Sequence, residues 1–155
     1  MAANCLGRCL IFDTRDQKFD IFGDLETPRS LAGSMMSTKG SLYVFLGYDD
    51  MYRSVKTIEQ HIMHHGMHFH TISVTDSYNF LCGEKFLTYI YSRNTILIMG
   101  GFKQQILTFN PSSKTINDSG IQLKLPDHFS YAHQCVNIHS NIYIIGDHHC
   151  HIFNT

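Results

Sequence analysis

The densest run of ligand-type side chains is His61-Ile62-Met63-His64-His65-Gly66-Met67-His68-Phe69-His70. With Met67 to Ile72 as a strand, side chains two apart share a face. His68 and His70 would then offer two neutral imidazoles to zinc or copper, with Met63 or Met67 as soft ligands. Two histidines are half of a site, and no carboxylate or cysteine lies nearby in sequence to complete it. His68 and His70 are therefore read as a polar strand face, and no metal is expected. Nucleophilic catalysis would need a Gly-x-Ser-x-Gly elbow or a Cys held by a His, and the chain has no such elbow. Asp49, Asp50, Glu59 and Glu84 are scattered over expected loops, with nothing to pair them for acid–base work. Gly100-Gly101 follows a strand, but no helix follows it to cradle a phosphate. No catalytic residue and no cofactor is expected.

Composition narrows the partners. Twelve Lys and Arg against thirteen Asp and Glu give a net charge of −1, which is no footprint for a nucleic-acid backbone. Cys5, Cys9, Cys82, Cys135 and Cys150 are odd in number and share no repeated spacing, a poor disulfide framework that reads as free thiols in a reducing compartment. The first residues lack a basic segment followed by an apolar stretch, and the longest apolar runs fall far short of the roughly 20 residues that cross a bilayer. The expected location is the cytoplasm, with the nucleus as the alternative, and no membrane partner is expected.

The elements that must position any site are read from internal repeats. Leu42-Tyr43-Val44-Phe45-Leu46-Gly47-Tyr48, Ile96-Leu97-Ile98-Met99-Gly100-Gly101-Phe102 and Ile142-Tyr143-Ile144-Ile145-Gly146-Asp147-His148 align as apolar strands stopped by glycine. A strand joined by a short polar turn precedes each, the turns being Ser37 to Ser41, Ser92 to Asn94 and His139 to Asn141. A third element ends in an aromatic and a turn former: Phe12-Asp13-Thr14, Phe109-Asn110-Pro111 and Phe153-Asn154-Thr155. A fourth strand begins near Phe19 and near Ile116, with Pro28 and Pro126 beyond. Gly47, Gly101 and Asp147 lie 54 and 46 residues apart, a period that suits four short strands. No segment has sustained helical periodicity, and only Gln60 to Gly66 is left open.

This order of elements resembles the kelch family, whose blades run strand, hairpin, strand ending in Gly-Gly, strand ending in Tyr-Asp-Pro, then a turn and a strand opened by Trp. Gly100-Gly101-Phe102 with Phe109-Asn110-Pro111 is the best copy, and Phe19 and Ile116 stand seven residues after Phe12 and Phe109, where the family has Trp. The chain departs from the family in having no Trp, in carrying Leu46-Gly47 and Gly146-Asp147 for the double glycine, and in a lengthened loop after Gly47. The resemblance is weakest from Tyr52 to Asn79. It implies an all-β fold of kelch-type β-propeller blades, partial or open, with about three to four blades: a partial blade over 1–30, blades over 31–80 and 81–128, and a partial blade over 129–155. Such a stack either belongs to a longer chain, closes with another copy, or stays open and self-associates through its blade edges.

By the same resemblance the chain is a non-enzymatic protein-binding module, the family's commonest role being substrate recognition for cullin-based ubiquitin ligases. A complete chain without the BTB domain that precedes such propellers would act as a competitor for such an adaptor, and a piece of a longer chain would keep the adaptor role. Carried over by position, the partner-binding loops are Tyr48, Asp49, Asp50, Tyr52 and Arg53; Phe102, Lys103 and Gln104; and His148 and His149. Arg29, Ser30, His128 and Tyr131 join them from the interblade loops. Tyr and Arg are the residue types that anchor interfaces. The alternatives are a metal-dependent or sugar-modifying enzyme on the same blades, since a copper oxidase and a sialic acid epimerase use them, and an actin-associated structural protein. Asp147-His148-His149-Cys150 also spells the tetrad of membrane palmitoyltransferases, but it falls inside a repeat and lacks their Cys-rich zinc-binding surroundings, so it is read as coincidence.

Overall fold

Apolar runs of four or five residues, each stopped by a glycine, are too short for a stable helix and suit strands. The computed structural model describes residues 7–62, 68–76, 86–92, 94–100, 105–123, 132–138, 141–146 and 150–154, and among these every regular element is a strand. β1 (Arg8–Asp13) and β2 (Lys18–Asp24) form a hairpin sheet. β3 (Gly33–Met36), β4 (Ser41–Phe45), β5 (Ile58–Ile62) and β6 (His70–Ile72) form an antiparallel second sheet in chain order. The third sheet contains β8 (Phe86–Ser92), β9 (Thr95–Gly100), β10 (Gln105–Asn110) and β11 (Thr115–Gln122), with β7 (Thr75–Asp76) added outside β11. β12 (Ala132–Ile138), β13 (Asn141–Gly146) and β14 (Cys150–Asn154) make the fourth. The protein is all-β, built of several small open sheets.

Two hairpins show how local chemistry sets this pattern. In β1–β2 the Asp13 carboxylate accepts N–H bonds from Arg15 and Asp16, and Gln17 closes the turn at φ 53°. In β10–β11 the Asn110 side chain accepts from Ser112 and Ser113, and Lys114 closes it at φ 54°. Both are Asx turns, in which a short side-chain oxygen replaces the backbone acceptor. They fix the same register, Phe12 opposite Phe19 and Phe109 opposite Ile116.

The sheets stack face to face because alternate residues of each central strand point to opposite neighbours. Tyr43 and Phe45 of β4 pack with Ile96 and Ile98 of β9, Leu107 and Phe109 of β10, and Ile116 of β11. The ring of Phe109 meets those of Tyr43 and Phe45 edge-on, with centroids 5.4 and 5.5 Å apart. Leu97, Met99 and Ile106 face the other way, onto Ile142 and Ile144 of β13 with Cys135 and Phe153. Both faces of the third sheet are therefore in apolar contact, which is why its β9 strand reads as a continuous hydrophobic run. The first sheet meets the second through Phe22, whose ring lies 4.3 Å from that of His61 and 6.2 Å from that of Phe69.

Successive units are also linked by parallel pairing. Asp24, at the end of β2, bridges His68 beside β6, and Thr75 and Asp76, just after β6, pair with Thr115 and Ile116 of β11. A division of the chain at residue 80 therefore puts β7 with the second unit by sequence, although its hydrogen bonds belong to the third sheet. The structure refines the sequence reading in two other places. β4 stops at Phe45, short of Gly47, and Gln60 to Ile62, left open by the sequence, lies within β5.

Burial should order the thiols. Desolvation pushes Cys135 up to about 11, and it raises Cys9 too, with the charges of Glu59 and Asp24 adding to the shift, whereas Cys150 is exposed. Since the thiolate is the reactive form, iodoacetamide followed by peptide mapping should label Cys150 well before Cys9 and Cys135. The three rates should converge in urea.

Candidate functional site

A carboxylate in a β-sheet interior must find donors or it unfolds the site. Glu59 is fully buried on β5, on the face turned toward the first sheet. Its two oxygens accept the N–H groups of Glu26 and Thr27 at 2.8 and 3.0 Å and form an ion pair with the buried guanidinium of Arg29. Arg29 spends its remaining donors on Thr27 O at 3.1 Å, Leu46 O at 3.2 Å, Thr57 O at 2.9 Å and Thr57 Oγ1 at 3.0 Å. Burial pulls the Arg29 pKa below its ordinary value, and the adjoining Glu59 charge and hydrogen bond push it back up. Arg29 was expected among the partner contacts. It instead lies inside, as a clamp, because Leu46 and Thr57 are the two feet of the loop between β4 and β5.

That loop is held by its own bonds. At its near foot Gly47 adopts φ 101°, and a Cβ there would come within 2.5 Å of Ser30 O, so only glycine fits. Ser30 and Tyr48, both expected at the binding face, exchange backbone hydrogen bonds at 2.8 and 2.9 Å. Asp49 Oδ1 accepts the N–H groups of Met51 and Arg53, both at 2.9 Å, and its Oδ2 accepts Arg53 Nε at 2.7 Å. Val55 N then donates to Gly47 O at 2.9 Å, closing the loop. The tip carries Met51 and Tyr52, 72% and 64% exposed, beside the exposed Arg53 and Asp50.

Backbone strain collects in the same place. Of the five non-glycine residues with positive φ among the described residues, Gln17 and Lys114 serve the hairpin turns, while Leu31, Leu46 and Tyr52 lie in or under this loop. A bulky residue there costs on the order of 1–3 kcal/mol and persists only where the surroundings fix it. Sequence reasoning found Tyr48, Asp49, Asp50, Tyr52 and Arg53 by position. It missed Met51, whose signal is its place between Asp50 and Tyr52, and it missed Glu59 and Thr57, which have no local signal.

His61 follows from the repeat. The strand partner of Ile96 is Phe109 and that of Ile142 is Phe153, but the partner of Leu42 is His61. The imidazole takes a buried phenylalanine's place between Phe22 and Phe69, and neither ring nitrogen has a hydrogen-bond partner among the described residues. His68 and His70 are exposed, and His70 Nδ1 lies 3.7 Å from Glu26 Oε1. Among the described residues no three His, Cys, Asp or Glu side chains converge as metal ligands. Phe102, Lys103, Gln104, His128, Tyr131, His148 and His149 lie outside the described residues, as do Met63 and Met67. No helix among the described residues is long and apolar enough to cross a membrane. No protein family and no curated protein matches this chain in sequence.

Breaking the clamp should cost more than removing it. Arg29→Met strands a buried carboxylate and should lower stability in urea unfolding by about 3–5 kcal/mol. Arg29→Met with Glu59→Leu should recover much of that, less the Glu26 and Thr27 N–H groups left unpaired. The loop should also respond to acid. The backbone N–H of Arg53, then its side chain and the N–H of Met51, hold Asp49 below its ordinary pKa. Stabilisation by Asp49 is then complete above the unfolded aspartate value and lost as pH falls through the lower folded one. An NMR titration of the Met51 and Arg53 amides should show its midpoint below that of an ordinary aspartate.

Proposed function

We propose that this chain is a non-enzymatic protein-binding module of kelch type, whose contact face centres on the loop from Gly47 to Val55. The observation that carries the proposal is a self-bonded, strained loop that raises Met51, Tyr52 and Arg53 into solvent from a foot clamped by Arg29. Ordering such side chains in advance lowers the entropy lost on docking. A tyrosine and an arginine beside an exposed methionine offer apolar area, a directed hydroxyl and a charged fork, the chemistry of an interface hot spot. The repeated strand order and the kelch-like spacing of the sequence support the wider class. In that class such a face serves target recognition for a cullin-based ligase adaptor, or competition with one, and the same face would serve either role.

Photo-methionine at position 51 tests the proposal in cell extract. It should cross-link a discrete protein, and the product should vanish with Tyr52→Gly and with Arg53→Ala. Tyr52→Gly relieves a left-handed residue and should leave thermal stability equal or higher. Cross-linking no stronger than from a photo-probe at the exposed Thr14, or unaltered by both substitutions, would remove the loop as the contact face.

A further inference from the structure

The two ends of the sheet stack expose opposite halves of a junction that the chain already makes inside itself. At the junction of the second and third sheets, Tyr43 and Phe45 are received by Leu107, Phe109 and Ile116. The β1–β2 hairpin repeats the β10–β11 hairpin in turn chemistry and register, which puts Leu10, Phe12 and Phe19 where the third sheet has Leu107, Phe109 and Ile116. Phe109 and Ile116 are 0% and 2% exposed, whereas Phe12 and Phe19 are 46% and 69% exposed. The first sheet thus presents the receiving half, its apolar side chains exposed.

The fourth sheet presents the other half. Ile142 and Ile144 face inward, so the alternating Tyr143 and Ile145 stand on the outer face, at the repeat positions of Tyr43 and Phe45. Val136 and Ile152, the strand partners of Tyr143, lie beside it, and Val136, Ile145 and Ile152 are all exposed. A cluster of exposed apolar side chains on each end is more than scattered surface apolarity needs.

We infer that copies of this chain dock head to tail, the outer face of β12–β14 of one copy seating on the Leu10, Phe12 and Phe19 face of the next. The occupant is a second copy because each face is the counterpart of the other by the repeat, apolar for apolar, and the internal junction shows the packing both would adopt. The contact is heterologous, so it builds rings where the rotation closes and open filaments where it does not. It is separate from the Gly47–Val55 loop, which Tyr52→Gly alters without touching either end.

Sedimentation velocity over a concentration series tests this with one end blocked at a time. The wild-type mass should rise with concentration. Phe12→Asp alone and Ile152→Asp alone should each stay monomeric, since each has lost one half of the junction. An equimolar mixture of the two should form a complex of one copy of each and no larger, because the Ile152→Asp chain still offers its receiving face and the Phe12→Asp chain its outer face. Phe19→Asp and Ile145→Asp replace either variant whose circular dichroism departs from wild type. A wild-type chain that stays monomeric throughout, a single-end variant that assembles as wild type does, or a mixture that remains monomeric overturns the inference. So does a different polypeptide that co-purifies and is released by Phe12→Asp, since the receiving face would then be made for another chain.

Discussion

A buried carboxylate is the constraint around which the second sheet is arranged. Glu59 occupies the strand position that is Leu107 in the third sheet and Leu10 in the first, and no apolar neighbour could accept it there. It needs a cation and further donors at close range, and the segment between the first two sheets supplies all of them through the Glu26 and Thr27 amides and Arg29. Such a pair is a poor source of net stability, because the desolvation of two ions consumes most of their attraction. Its effect lies in direction. The planar guanidinium fork bonds correctly in one orientation only, so the linker, both feet of the long loop and β5 are fixed to one another by a single group.

The polar junction marks the second unit as different from its neighbours. Elsewhere the stack is held by apolar side chains, Tyr43 and Met99 among them, whereas here Glu59, His61, Arg29 and Phe22 come together. The same unit carries the lengthened β4–β5 connection and, among the described residues, the three left-handed non-glycine residues outside the hairpin turns. Strain, buried charge and an extended loop coincide in one unit while the other sheets stay close to the repeat. That is the distribution expected when one copy of a repeated element takes on a task and the rest support it.

Much of the strand framework was legible in the sequence because it rests on local signals. Asp13 and Asn110 announce their turns, Gly40 sits at φ 77° in the turn expected between Ser37 and Ser41, and the runs at 42–45, 96–99 and 142–145 lie on strands with buried faces. The stretch from Tyr52 to Asn79 was opaque for a physical reason. Ile58-Glu59-Gln60-His61-Ile62 has two polar side chains on its buried face, and what makes them tolerable is Arg29 and Phe22, each more than 25 residues away in sequence. Arg29 itself read as an interblade loop residue by its position in the repeat, where an arginine is normally exposed. The loop tip could be read by position, but its rigidity could not, since that depends on hydrogen bonds from Asp49 that no spacing rule encodes.

The parallel links between units carry a consequence for how the chain reaches this state. Thr75 meets Thr115 across 40 residues, and Asp24 meets His68 across 44. Each link can form only after the next sheet has assembled its outer strand, so the entropy of closing a long segment is spent before the bonds that reward it. Hairpins such as β1–β2 and β10–β11 can form in microseconds from their own turns, while the links wait on non-local search. Nascent sheets are therefore held early by their hairpins and late by their neighbours, and the interval between leaves outer strand edges unpaired. Non-local closures such as Thr75–Thr115 and Asp24–His68 are slow steps beside hairpin formation.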